Sequence, residues 1–136
     1  MCMCLYINTA IHKKLFGKYI PIKIRKNLEV YKFINVDWHK KDIQMINSAI
    51  QDYTYLIDNI YNTKFSIEGR YNNEVHNGYH SYMHRAIAES HLPYYSEVHG
   101  SNGLAVCIIP KGSKIYLGTD GELVSNKIKI VKVEKL

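Results

Sequence analysis

The stretch Ala105-Val-Cys-Ile-Ile-Pro-Lys-Gly-Ser-Lys-Ile-Tyr-Leu-Gly-Thr-Asp-Gly-Glu-Leu-Val-Ser-Asn-Lys-Ile-Lys-Ile-Val-Lys-Val133 decides the fold. It reads as a strand, a Pro110-Lys-Gly turn, a second strand, an Asp120-Gly turn with Glu122 after it, and a closing strand. Proline fixes φ and glycine permits positive φ, so the first break is a tight turn. Asp-Gly between β-rich runs is a hairpin signal. Working outward, Leu28-Glu-Val-Tyr-Lys-Phe-Ile34 alternates as a strand should. Leu28, Val30, Lys32 and Ile34 share one side, and Glu29, Tyr31 and Phe33 the other. Residues 1–7 are short and apolar and read as a first strand or an ordered arm. Residues 11–25, with Gly17 and Pro21, read as basic and irregular.

Two helices are expected. Ile43, Ile46, Ile50, Tyr53, Ile57 and Ile60 step by three and four, which puts one apolar stripe on a helix over residues 40–61, with Asp37 as its cap. Residues 79–91 read as a shorter helix, placed near 81–91 in the packed fold and ended before Pro93. Residues 63–78 read as a loop and 94–103 as a polar connection. The fold class that follows is α+β: a compact, twisted, mostly antiparallel sheet with two packed helices, the sheet carrying residues 1–7, 28–34 and the tail strands.

A chain of 136 residues is one domain, 1–136, and is long enough to bury a core without disulfides or metals. Its net charge of +6 favours anionic partners. The lysines read as scattered, densest at His12-Lys13-Lys14, Lys23-Ile-Arg25-Lys26 and His39-Lys40-Lys41. No nucleic-acid recognition motif accompanies them, so a phosphate-bearing small molecule is favoured over nucleic acid. Twelve tyrosines against three phenylalanines suit binding surfaces as well as core edges. Cys2, Cys4 and Cys107 cannot form a closed disulfide set, and Cys107 reads as a buried, inert thiol. No run reaches the roughly 18 to 20 apolar residues that span a bilayer. The N-terminus has no secretory pattern either. A cytoplasmic protein with no membrane partner is expected, its oligomeric state left open.

Several side chains are candidates for chemistry. On one helix His80, His84 and His91 would fall on a common stripe. His91 lies too far along to share an ion with His80, and the glutamate of zincin-type motifs is missing, so no metal is expected. His80 or Tyr82 could instead face a ligand, or Ser81 could cap and Tyr82 pack. Lys111 and Ser113 could touch a phosphate from their turn, although the spacing is not a P-loop. Glu122, at a hairpin mouth, could hold ribose hydroxyls or remain a solvated turn acid. Cys2, freed by removal of Met1, would carry its thiol beside its own amine.

The strings Leu28–Ile34, Glu68-Gly69, Gly78-Tyr-His-Ser-Tyr82, Val106-Cys-Ile-Ile-Pro-Lys-Gly-Ser113 and Glu122-Leu-Val-Ser-Asn-Lys-Ile128 resemble a group of small proteins of bacteriophages and prophage regions. That resemblance implies an accessory protein, acting in the host cytoplasm, that counters host defence by binding a nucleotide-type ligand or a host defence protein. The chain also resembles the ADP-ribosyltransferase-like fold, whose pattern is an early His or Arg, a middle Tyr or Ser and a late Glu. Carried over, these fall at Tyr31-Lys32, at Tyr79 or Tyr82, and at Glu122. The early position holds neither His nor Arg. The resemblance implies NAD as ligand: Glu122 at the ribose, Tyr82 on the nicotinamide, His80 or Lys32 toward the adenosine. It leaves open whether the protein turns NAD over or only binds it.

Overall fold

A computed structural model describes residues 5–40, 43–48, 54–97 and 100–136. The strands are β1 (Leu5–Tyr6), β2 (Lys14–Leu15), β3 (Lys18–Tyr19), β4 (Ile22–Lys23), β5 (Leu28–Asn35), β6 (Met45–Ser48), β7 (Thr54–Leu56), β8 (Ile60–Asn62), β9 (Ser66–Glu68), β10 (Glu74–Asn77) and β11 (Tyr79–Tyr82). Two short helices, α1 (Arg85–Ser90) and α2 (Leu92–Glu97), precede β12 (Gly103–Ile109), β13 (Lys114–Leu117), β14 (Glu122–Ser125) and β15 (Lys127–Lys135). The protein is therefore a mostly antiparallel sheet structure with two short helices.

The main sheet runs β4-β13-β14-β11-β5-β12-β15-β8, with β6 added to β5 and β7 to β6. The two tail turns form as their chemistry requires, but the single closing strand expected divides at Asn126 into β14, which pairs with β11 and β13, and β15, which pairs with β12 and β8. Gly112 has φ of +89° and Gly121 of +74°, and the Ser113 amide closes the first turn on the Pro110 carbonyl at 3.0 Å. A Cβ on Gly121 would overlap Ile87 of α1, so this glycine also lets the helix approach. The alternation expected of β5 holds. Val30 and Ile34 join a core with Ala105, Cys107, Ile109, Leu123, Ile128 and Ile130. Phe33 enters a second cluster with Tyr82, Ala88, Tyr95 and Leu104, beneath the helices. A third cluster, Leu5, Ile7, Val75, Tyr116 and Val124, lies where the separate β1-β10-β9 sheet meets the main one.

The helix expected over residues 40–61 does not form among the described residues. β6, β7 and β8 occupy that region instead, and Ile50 and Tyr53 lie outside the described residues. Period two displaces period 3.6 here. Ile46 and Tyr55 are opposite one another and buried, while Met45 and Leu56 flank them exposed. The region is rich in isoleucine and tyrosine, which favour strands. Asp37 caps only a turn, its carboxylate accepting from the His39 amide at 3.1 Å. The second expected helix starts later, at Arg85, because residues 79–82 are drawn into the sheet as β11. Residues 63–78 contain the β9–β10 hairpin rather than a loop, and residues 94–97 belong to α2. The stretch 11–25 holds a hairpin and β4, and β1 pairs with β10 rather than joining the main sheet. No helix among the described residues is long and apolar enough to cross a membrane.

Candidate functional site

Lys32 extends from the core side of β5 and is 4% exposed. β5 pairs with β11 only at Tyr31–Tyr82, then turns to β6 at Ile34–Ser48. Lys32 sits in the gap this leaves. Its ammonium donates to the His80 carbonyl at 2.9 Å and lies 5.9 Å from the Tyr55 ring centre. Burial lowers its pKa to about 8. Burial also raises the Cys107 thiol to about 12 against the opposing pull of Lys32, which makes Cys107 the inert thiol expected.

His80 is 4% exposed, and its Nε2 has no hydrogen-bond partner. Burial, then the charges of Lys32 and His76, depress its pKa to about 3, so it is neutral at physiological pH. His80 lies in a strand, His84 caps α1 and His91 ends it, so the three do not form the helical stripe of the sequence reading. Ser81 does not cap a helix either. Its Oγ is buried in β11 without a partner.

Tyr82 is covered. His91 stacks on its ring at 5.1 Å, Phe33 and Tyr95 meet it edge-on, and its hydroxyl donates to the Tyr95 hydroxyl at 3.2 Å. Burial, then the Tyr95 hydroxyl and Glu122, raise its pKa. No ring face is left for a nicotinamide. Glu122 opens β14 directly opposite Tyr82 and is half-buried beside it. The structure thus brings Tyr82 and Glu122 together and, separately, Lys32 and His80. The four do not line one open cleft, and Cys2 lies outside the described residues.

Lys111 is exposed and does line a cleft. β4 pairs with β13, placing Ile22 opposite Ile115 and Lys23 opposite Lys114. The Ile24 amide then bonds the Ser113 carbonyl, the Gly112 amide bonds the Ile24 carbonyl, and the Lys111 amide bonds the Asn27 side chain at 2.9 Å. These bonds lay the chain after β4 along the Pro110–Ser113 turn. The result is an open cleft of about 700 Å³ lined by Lys23, Ile24, Arg25, Lys111 and Gly112, with no carboxylate among its lining. None of its cations has an ion pair among the described residues. Like charges directly opposite one another, as in Lys23–Lys114, destabilise a ladder.

Reading the lysines as scattered missed this partition. Lys13, Lys14, Lys18, Lys23, Arg25 and Lys26 supply the whole excess of +6, and Glu29 is the first acidic residue of the chain. A running count of charge locates the segment. Comparison with protein-family models, curated proteins and solved structures finds no match to this chain.

Proposed function

We infer that the protein binds a phosphate-bearing, nucleotide-type ligand in the cleft of Lys23, Arg25 and Lys111. One observation carries this reading: three cations line one open, carboxylate-free cleft, and a fourth stands directly opposite one of them in the ladder. Such an arrangement costs stability in the free chain and is neutralised by an anion. Arg25 offers a planar donor fork, and Lys23 and Lys111 offer point charges, a set suited to phosphate oxygens. A compact, twisted sheet would hold the cleft rigid at its β4 edge. Sequestering a nucleotide-derived signal is the role that the resemblance to phage and prophage accessory proteins implies. Turnover by the ADP-ribosyltransferase-like route needs Tyr82 and Glu122 open to NAD, so binding without turnover has the better support.

Isothermal titration with ADP-ribose, NAD and pyrophosphate tests the reading. Wild type should bind at least one of them, more weakly as salt rises. Lys111→Gln and Arg25→Gln should each weaken binding about tenfold, since one charge-assisted hydrogen bond is lost. Absence of binding by wild type, or wild-type affinity in both variants, would refute it.

A further inference from the structure

The β2–β3 hairpin forms a two-stranded sheet of its own. Lys14 pairs with Tyr19 and Leu15 with Lys18, and the Ile20 amide bonds the Lys13 carbonyl at 2.8 Å. One face turns inward: Tyr19 packs against the cluster of Leu5, Val75 and Tyr116, with the Lys14 ammonium 5.2 Å from its ring centre. By alternation the other face carries Lys13, Leu15, Lys18 and Ile20, all exposed. At the tip, Phe16 is 95% exposed with φ of +49°, followed by Gly17 at +78°. A hairpin turn with two positive φ values favours Asn-Gly, and phenylalanine there is strained and packs against nothing.

The base of the hairpin is clamped. Buried His12 accepts the Leu117 amide on Nε2 at 2.8 Å, so its Nδ1–H donates to the Ile20 carbonyl at 3.0 Å. A second tip stands beside the first: Asn72 donates to the Gly17 carbonyl at 3.3 Å. That brings up Tyr71, 63% exposed, with the Arg70 guanidinium 5.5 Å from its ring centre. Apolar tips with lysines and an arginine behind them therefore form one patch.

We propose that this hairpin is a finger that docks the protein on an anionic lipid surface, inserting Phe16 and Leu15 while Lys13 and Lys18 contact the headgroups. The composition favours lipid over nucleic acid. Leu15, Ile20 and neighbouring Ile11 are aliphatic and cannot stack on bases, whereas an acyl boundary accepts them without a matched shape. The lysines lie within an acid-free run, as attraction to anionic headgroups requires. Their stems can lie along the boundary with the charge at headgroup level.

The full chain is tested by co-sedimentation with vesicles of phosphatidylcholine alone or mixed with phosphatidylserine. Wild type should bind the mixed vesicles only, and salt should weaken binding. Phe16→Ser should weaken it at least tenfold, and Lys18→Gln about fivefold. Phe16→Trp should shift its emission to the blue on mixed vesicles. Since Phe16 packs against nothing, Phe16→Ser should melt as wild type does. No binding by wild type, or equal binding by Phe16→Ser, overturns the proposal. So does binding of a single-stranded oligonucleotide that depends on Phe16 without any vesicle binding. Nucleotide titration of Phe16→Ser should match wild type, so the finger and the cleft can fail independently.

Discussion

Replacing Lys32 with methionine tests the account of the core most sharply. Burial lowers the lysine from 10.5 to about 8. At about 1.4 kcal/mol per pH unit, holding the charge inside costs about 3 kcal/mol. Below pH 8 the lysine is protonated in both folded and unfolded chains, and the whole cost is present. Between pH 8 and 10.5 only the unfolded chain keeps the proton, so wild-type stability rises with pH. Above 10.5 both forms are neutral and the gain is complete. Methionine fills a similar volume without the charge but leaves the His80 carbonyl without its donor, a loss of about 1–3 kcal/mol. Lys32→Met should therefore equal or exceed wild type by up to about 2 kcal/mol at pH 7 and fall below it near pH 10.5. Urea unfolding of both proteins across this range measures the difference. Cys107 and the buried tyrosines titrate in both proteins and largely cancel. A difference that stays constant from pH 7 to 10.5 would show that Lys32 is not held as an uncompensated buried charge.

His80, depressed from 6.5 to about 3, should make stability fall as pH drops from 6.5 toward 3, because only the unfolded chain takes the proton there. The loss should approach about 4–5 kcal/mol, and His80→Asn should flatten the profile measured by urea unfolding at stepped pH. His12→Ala removes the acceptor of the Leu117 amide and the donor to the Ile20 carbonyl. It should cost about 2–4 kcal/mol and speed hydrogen exchange at the Leu117 amide. Unchanged exchange there would remove the clamp.

What the sequence revealed, it revealed through local chemistry. Pro110–Gly112 and Asp120–Gly121 each close a turn with their own residues, so the strands flanking them could be placed without knowing their neighbours, whereas the break at Asn126 between β14 and β15 carries no such local signal. The spacing from Ile43 to Ile60 misled because residues of separate short strands can fall at helical spacing. Only the cross-strand meeting of Ile46 and Tyr55 shows which period governs. Residues 79–82 do not alternate, because both faces of the sheet are covered there, with Tyr79 in the first cluster and Tyr82 in the one beneath the helices, and a Tyr-His-Ser-Tyr string gives no sign of that. Lys111 was legible as a turn residue with a free ammonium. Its companions were not, since the β4–β13 pairing that brings Lys23 beside it joins distant parts of the chain.

The ionisable side chains divide by whether the fold itself accounts for them. Lys32 is costly, but it fills a ladder gap that β5 and β11 leave open, and its pKa records that structural use. Tyr82 and Glu122 pair across strands under the helices, and their packing explains them. Lys23, Arg25 and Lys111 complete no ladder with their charges and pair with no carboxylate among the described residues, and Lys23 faces another lysine. Phe16 is strained and 95% exposed. Among the described residues, the exposed cations of the cleft and Phe16 at the hairpin tip carry costs that an external anion or an apolar boundary would offset.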